Sequence, residues 1–286
     1  MKHREVIEKI LEYHPNIPNY SGCDDYKAGN PDDECTGVVC AMVATPNVIR
    51  KAKELGANLI IVHEPTYYTS ADRAGWFEDF PNSIYEEKKA MIEEYGITVW
   101  RDHDHMHMHN PDGIFTGVLR YLGWEDSATV DFNTGAYAHF LVDVPEMTLQ
   151  DLLKHLVDTI GMNGTRYIGK PDMKVKKIAI VGHLFPMELA EKKTDGTPKD
   201  YGEQIMKVLE NGVDVIIPGE VIDWTVLSYV RDAMELHGNK AMINLGHFNW
   251  EELGMRYCKD WLTELVGDEV PVTYVPSEDM YSFYVK

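Results

Sequence analysis

A chain of 286 residues with 44% apolar content is long enough for one large or two ordinary domains, each with its own core. Its 27 Lys+Arg stand against 47 Asp+Glu, a net charge of −20, which disfavours non-specific binding to nucleic acid or to an anionic membrane surface. Met1 to Ile7 is charged and lacks an apolar leader core, and no stretch approaches the roughly 18 apolar residues of a membrane span, so the expectation is a soluble, cytoplasmic protein. The cysteines, Cys23, Cys35, Cys40 and Cys258, form no CxxC pair and read as buried or incidental thiols.

Ile7, Ile10 and Leu11 share a helix face over 4–13, and the Asp-, Asn-, Pro- and Gly-rich stretch 14–36 reads as loop. Val38 to Ala44 is an apolar run of strand length. Thr45-Pro46 then opens a helix that Gly56 ends before a strand over 58–63. A helix over about 81–95 stops at Gly96 and feeds a strand at Ile97 to Trp100, followed directly by His103, His105, His107 and His109. A further helix is expected over about 114–122, a strand over 137–144, and a helix over 148–159 behind a Thr148-x-x-Asp151 capping box. The second half repeats the alternation: strands at 177–181, 213–217 and 241–244, with helices over about 200–211 and 221–236. The fold class expected is α/β, two similar halves (1–125 and 126–286) with mainly parallel or mixed sheets covered by helices and a metal site in the crevice between them.

Ligand-type residues gather where strands end. His63-Glu64 follows the strand run Asn58 to Val62. In an extended chain neighbouring side chains point to opposite faces, so the pair suits two metals better than one. If 103–109 stays extended, its four histidines share one side with successive side chains roughly 7 Å apart. At Zn–N bond lengths of about 2.0–2.1 Å, four cannot reach one ion, and about two serve as ligands. Met106 and Met108 face the other way as packing. His247 and Glu251, at i and i+4 on the first turn of a helix, can share a metal or bridge two, while Glu252 lies further round and is solvated. His139 and His183 read as structural. A metallo-β-lactamase pattern fails, because the run from His103 has His107 and Met108 where Asp-His is needed.

These motifs together resemble the NGG-one interacting factor three-like family, also labelled GTP cyclohydrolase I type 2-like. The match rests on Gly56 to Pro65, Val99 to His107, Val213 to Glu220 and Gly246 to Glu251, and covers nearly the whole chain in order. The family has two consecutive histidines before proline where this chain has His63-Glu64-Pro65. It has His-Thr-Asn-Leu-Asp where an ungapped match lays His103 on its histidine and His107 on its aspartate. Asp112 is the competing candidate for that aspartate; His107 keeps the strand register. Gly-His-x-x-x-Glu is intact as Gly246-His247 and Glu251. The two exchanges conserve the charge of the ligand set.

The residues and the resemblance together imply a dinuclear site held by His63, Glu64, His107, His247 and Glu251. Mixed N and O ligands suit Zn, Fe or Mn. His103 is the expected proton carrier, and the expected activity is metal-dependent hydrolysis of a small phosphorylated or nucleotide-like substrate. The alternative is a non-catalytic metal-binding assembly or partner-interaction protein. A toroidal homohexamer is what the resemblance implies. His105 and His109 are expected to be dispensable for metal binding.

Overall fold

Amphipathic spacing and good caps produce most of the early elements in a computed structural model of the chain. The structure describes residues 1–70, 72, 81–131, 139–186 and 188–284, with the side chains at 131, 139 and 189–191 outside that description. Helix α1 (His3–Tyr13) buries Val6, Ile7 and Ile10. A short strand, β1 (Asp25–Ala28), lies in the segment expected to be loop. It has no apolar alternation of its own and is recruited by antiparallel pairing to β4. The next strand is β2 (Val38–Ala41). In α2 (Pro46–Leu55) the Thr45 side chain accepts the Val48 N–H, and Gly56 ends the helix at φ +71, a left-handed conformation costly for residues with a Cβ. The chain continues through β3 (Leu59–Val62), α3 (Ser83–Tyr95), β4 (Thr98–Arg101), α4 (Asp104–Met108) and α5 (Gly113–Leu122).

Next come β5 (Ala128–Asp131) and β6 (His139–Thr148). The expected strand 137–144 thus begins partly outside the described residues, as does the His139 side chain. Helix α6 (Leu149–Ile160) carries the Thr148/Asp151 capping box. Then follow β7 (Arg166–Ile168), β8 (Lys174–Val181), β9 (Glu188–Lys192), β10 (Pro198–Asp200), α7 (Tyr201–Glu210), β11 (Val215–Pro218), α8 (Leu227–Leu236), β12 (Ala241–Asn244), α9 (His247–Val266) and β13 (Val272–Tyr274).

The chain divides into one unit of 1–118 with 251–278 and another of 119–250 with 279–286. The first holds a five-stranded sheet ordered β1-β4-β3-β2-β13, parallel except for β1. Its three central strands, β4, β3 and β2, are buried along their length, as a sheet covered on both faces requires, while the edge strands β1 and β13 are only partly buried. Val39, Ile60, Val62 and Val99 pack with Val48, Ile49 and Ile92 from the helices. Cys40 and Cys258, both buried thiols, have their sulfurs 3.5 Å apart. The second unit holds a sheet ordered β5-β6-β8-β11-β12-β7, with β8, β11 and β12 parallel and the rest antiparallel. Ala179, Ile216 and Met242 pack there on Ile205, Leu209 and Val230. The result is a mixed α/β chain with two helix-covered sheets.

Candidate metal centre

In the first unit, β3 and β4 are parallel neighbours, so their carboxyl ends deliver His63-Glu64 and Asp102-His103 side by side. The N–H groups of His63 and Glu64 both donate to the Met42 carbonyl, at 3.2 and 3.0 Å. The backbone has therefore left strand geometry, and the two side chains no longer alternate. Single ligand atoms of His63, Glu64 and Glu251 lie within 4.8 Å of one another, all three buried.

The histidine run is not extended. It coils as α4, because the Asp24 carboxylate accepts the N–H groups of His103, Asp104 and His105 at 2.8–2.9 Å and holds the turn open to helix. Coiling brings His103 and His107, four apart, together with ring centroids at 4.8 Å. It sends the other two histidines elsewhere. His105 is bonded through Nδ1 to Asp24 at 2.7 Å, and His109 stacks on Tyr13, which stacks on Trp261. Met106 is buried, whereas Met108, expected to pack, is exposed.

His63 Nδ1 faces the Asp102 carbonyl at 3.0 Å. A carbonyl only accepts, so Nδ1 carries the proton and Nε2 offers its lone pair. His107 Nδ1 faces Asp112 Oδ2 at 2.8 Å, while Asp112 Oδ1 accepts the N–H groups of Ile114 and Phe115 at the start of α5. Asp112 therefore acts as an acceptor and fixes His107 in the same tautomer. The two Nε2 atoms meet at 3.1 Å, with Glu251 Oε2 at 3.6 Å from that of His63. Two neutral rings in this tautomer set lone pair against lone pair, which a shared cation resolves; nitrogens on one tetrahedral zinc stand about 3.3 Å apart at ordinary bond lengths. Each ring also has the backing that ligating histidines generally have, a carbonyl or carboxylate on the other nitrogen. The residues fit a divalent metal.

Glu64 lies 3.3 Å from the buried Arg101 guanidinium, which also donates to the His63 and Ser70 carbonyls. The His103 ring stacks on that of His63 at 4.5 Å and bonds Asp104 through Nδ1 at 2.9 Å. Burial, reinforced by the neighbouring His107, lowers its pKa against the pull of Asp104. Asp104 itself is raised by burial but more strongly lowered by bonds from His103, Tyr20 and the Cys23 N–H, and sits well below the usual carboxylate range. Cys23, pushed up to about 12 mainly by burial, completes a group with His103 and Asp104.

Glu251 reaches the group because α5 and α9 touch backbone to backbone. A Cβ on Gly254 would stand 2.8 Å from Ile114 Cα, and one on Gly117 2.8 Å from Gly254 Cα. Glu251 sits one turn before Gly254 on α9. Glu252 is not solvated as its position suggested. It is buried, accepts the Ser277 N–H at 2.7 Å, and is pushed up to about 7 by burial.

Of the residues singled out in the sequence, His63, Glu64, His103, His107 and Glu251 fall in the first unit. His247 falls in the second, its Nδ1 3.4 Å from Glu220 and its ring 4.7 Å from that of His183. His183 accepts the Glu220 N–H at Nδ1, a structural bond. Sequence reasoning missed Asp24 and Arg101 and left Asp112 as a rival to His107 rather than its support. Arg101, a charge closing an apolar strand run, was the available signal.

An α/β chain with histidines and carboxylates grouped at parallel strand ends is the class of protein so defined. A family model, Duf34/NIF3 (NGG1p interacting factor 3), matches residues 1–195, and the chain belongs to that family. Among similar proteins are two described as GTP cyclohydrolase 1 type 2 homologs. One, from Clostridium acetobutylicum, is 26% identical over 228 residues, 78% of this chain and 75% of its own. The other, from Clostridium perfringens, is 25% identical over 262 residues, 88% of this chain and 87% of its own. The fold is shared with a Staphylococcus aureus hypothetical protein (TM-score 0.68, 17% identity, 99% of each chain). It is also shared with a Bacillus cereus protein related to NIF3 (TM-score 0.66, 16% identity, 99% of each chain). Among the described residues no helix is long and apolar enough to cross a membrane.

Proposed function

We propose that the chain is a metal-dependent hydrolase with a dinuclear centre, acting on a small phosphorylated or nucleotide-like substrate. The observation that carries this reading is the meeting of His63 Nε2 and His107 Nε2 at 3.1 Å, each ring fixed from behind by a carbonyl or carboxylate. His63, His107, Glu64 and Glu251 would hold the cations, and mixed N and O donors suit Zn, Fe or Mn. When bound, such ions supply Lewis acidity and bring a water's pKa toward neutrality. His247 is proposed as a further ligand on the strength of the Gly246 to Glu251 motif alone.

His103 is the proton carrier of this proposal. Its Nδ1 is tied to Asp104, which sets the ring's orientation, and its side chain remains 26% exposed, giving a proton a way out to solvent. Arg101, donating to Glu64, holds that carboxylate in place, a positioning role. The name shared by the curated relatives makes guanine nucleotides the first substrates to screen. A homohexamer is proposed from the resemblance and is tested by light scattering on the purified protein.

The decisive experiment is metal analysis of untagged protein beside His63→Ala and Glu251→Gln, with phosphate release from nucleoside triphosphates and phosphomonoesters followed in parallel. Two metals per chain and turnover that both substitutions abolish are expected. Full occupancy in His63→Ala overturns the centre, and turnover unaffected by metal loss overturns the hydrolase.

A further inference from the structure

The second unit builds a cleft of about 660 Å³ entirely from its own residues. Part of its lining is the carboxyl ends of the parallel neighbours β11 and β12, at Gly219-Glu220 and Leu245-Gly246, where α/β sheets bind their ligands. The first turn of α9 adds Phe248, and residues 280–283 form a further wall. That wall is strapped down. Asp279 accepts the N–H groups of Asn163 and Tyr281, each at 3.0 Å, and Asn163 Nδ2 donates to the Tyr281 carbonyl at 3.0 Å. Gly164 makes room for a ring, since a Cβ there would stand 3.3 Å from that of Phe283. The backbone is thus pinned, while Tyr281 and Phe283 line the cleft with their side chains still 68% and 41% exposed.

Arg166, at the start of β7, is the only Lys or Arg among the described residues of the lining. Its carboxylate neighbour, Asp223, is 3.9 Å away, and with side chains 68% and 71% exposed the pair is too open to tie up the guanidinium. In a chain of net charge −20 it is the local cation an anionic group would need. Glu220, near the His247 ring, offers acceptors only.

We propose that this cleft binds a nucleoside monophosphate. Rings already held in place suit stacking on a base, and a planar guanidinium suits bidentate contact with phosphate. The Glu220 carboxylate matches a base edge with adjacent N–H donors, as guanine has. The volume falls within the roughly 300–1,000 Å³ usual for small-molecule sites. The site uses no metal and no residue of the first unit. It shares nucleotide chemistry with the substrate proposed above, but not the hydrolysis.

The test is titration calorimetry of the full chain with GMP, with and without EDTA, beside guanosine and ribose 5-phosphate, each of which carries half of the recognised chemistry. One GMP per chain is expected, unchanged by EDTA, with both fragments weaker. Arg166→Gln should weaken GMP by about 10-fold and leave guanosine unchanged. Phe283→Ala should weaken GMP and guanosine alike by about 10-fold and leave ribose 5-phosphate unchanged. Absence of GMP binding, binding lost with EDTA, or either substitution without effect on GMP overturns the proposal. Because binding in EDTA involves neither metal nor turnover, this proposal and the hydrolase reading fail separately.

Discussion

Both units end parallel strands in histidine and carboxylate, yet the two sets of strand ends differ in how they are held. In the first unit His63 and His107 are each bonded on the far nitrogen to an acceptor, and Glu64 is matched by a buried arginine. In the second unit His247 faces Glu220, whose side chain is 53% exposed, and His183 is spent on a backbone N–H. The same chain grammar therefore yields two outcomes. What separates the two sets is where that backing lies, buried behind His63 and His107 and open to solvent behind His247, and the proposed ligand roles lean on it more than on histidine at a strand end.

Several substitutions would break or sharpen that contrast. The largest effect is expected from His63→Ala, which removes the ring at the centre of the group: metal content by elemental analysis should collapse, and a retained full complement would erase the distinction. Next is a pH effect from charge buried in the first unit. Lys88, buried beside Thr66 and Asp72, is lowered to about 8, chiefly by burial. A lysine lowered on folding costs stability while both states are protonated, below about pH 8, and the cost is relieved as pH rises toward the unfolded value near 10.5. Chemical denaturation across that window should show a gain of about 3 kcal/mol that Lys88→Met lacks. A parallel rise in the variant would assign the gain to other groups.

Gly254→Ala should push α9 off α5, costing ~1–3 kcal/mol in thermal or denaturant unfolding and weakening metal binding through Glu251. Asp112→Ala tests the backing itself. It should lower metal affinity by ~10–100-fold in competition with a chelator while leaving every proposed ligand in place; an unchanged affinity would show that His107 needs no support. The smallest effect belongs to His109→Ala, which loses a stack on Tyr13 and should leave metal content unaltered.

The β2-α2-β3 segment was legible because its punctuation is local: Thr45 caps, Pro46 starts and Gly56 stops. So was the meeting of His63-Glu64 with His103, since parallel strands end side by side; His107 joins them only through the coil of α4. The shape of the histidine run was not legible. Its coiling depends on Asp24, some eighty residues earlier, in a stretch whose composition reads only as loop. Nothing at 103–109 carries that information. Nor could the spacing of His247 and Glu251 foretell that an exchange of glycine for side-chain volume, at Gly117 and Gly254, sets how near α9 comes to α5.

Asp24 also bears on engineering. Grafted into another scaffold, the peptide from His103 to His109 alone would lose the acceptor for its first three amides and revert to a strand-like tag of spaced imidazoles. The transferable module is two-part, the residues around Asp24 together with the histidine turn, and any change of length between α1 and β1 would retune the donor positions without touching a donor.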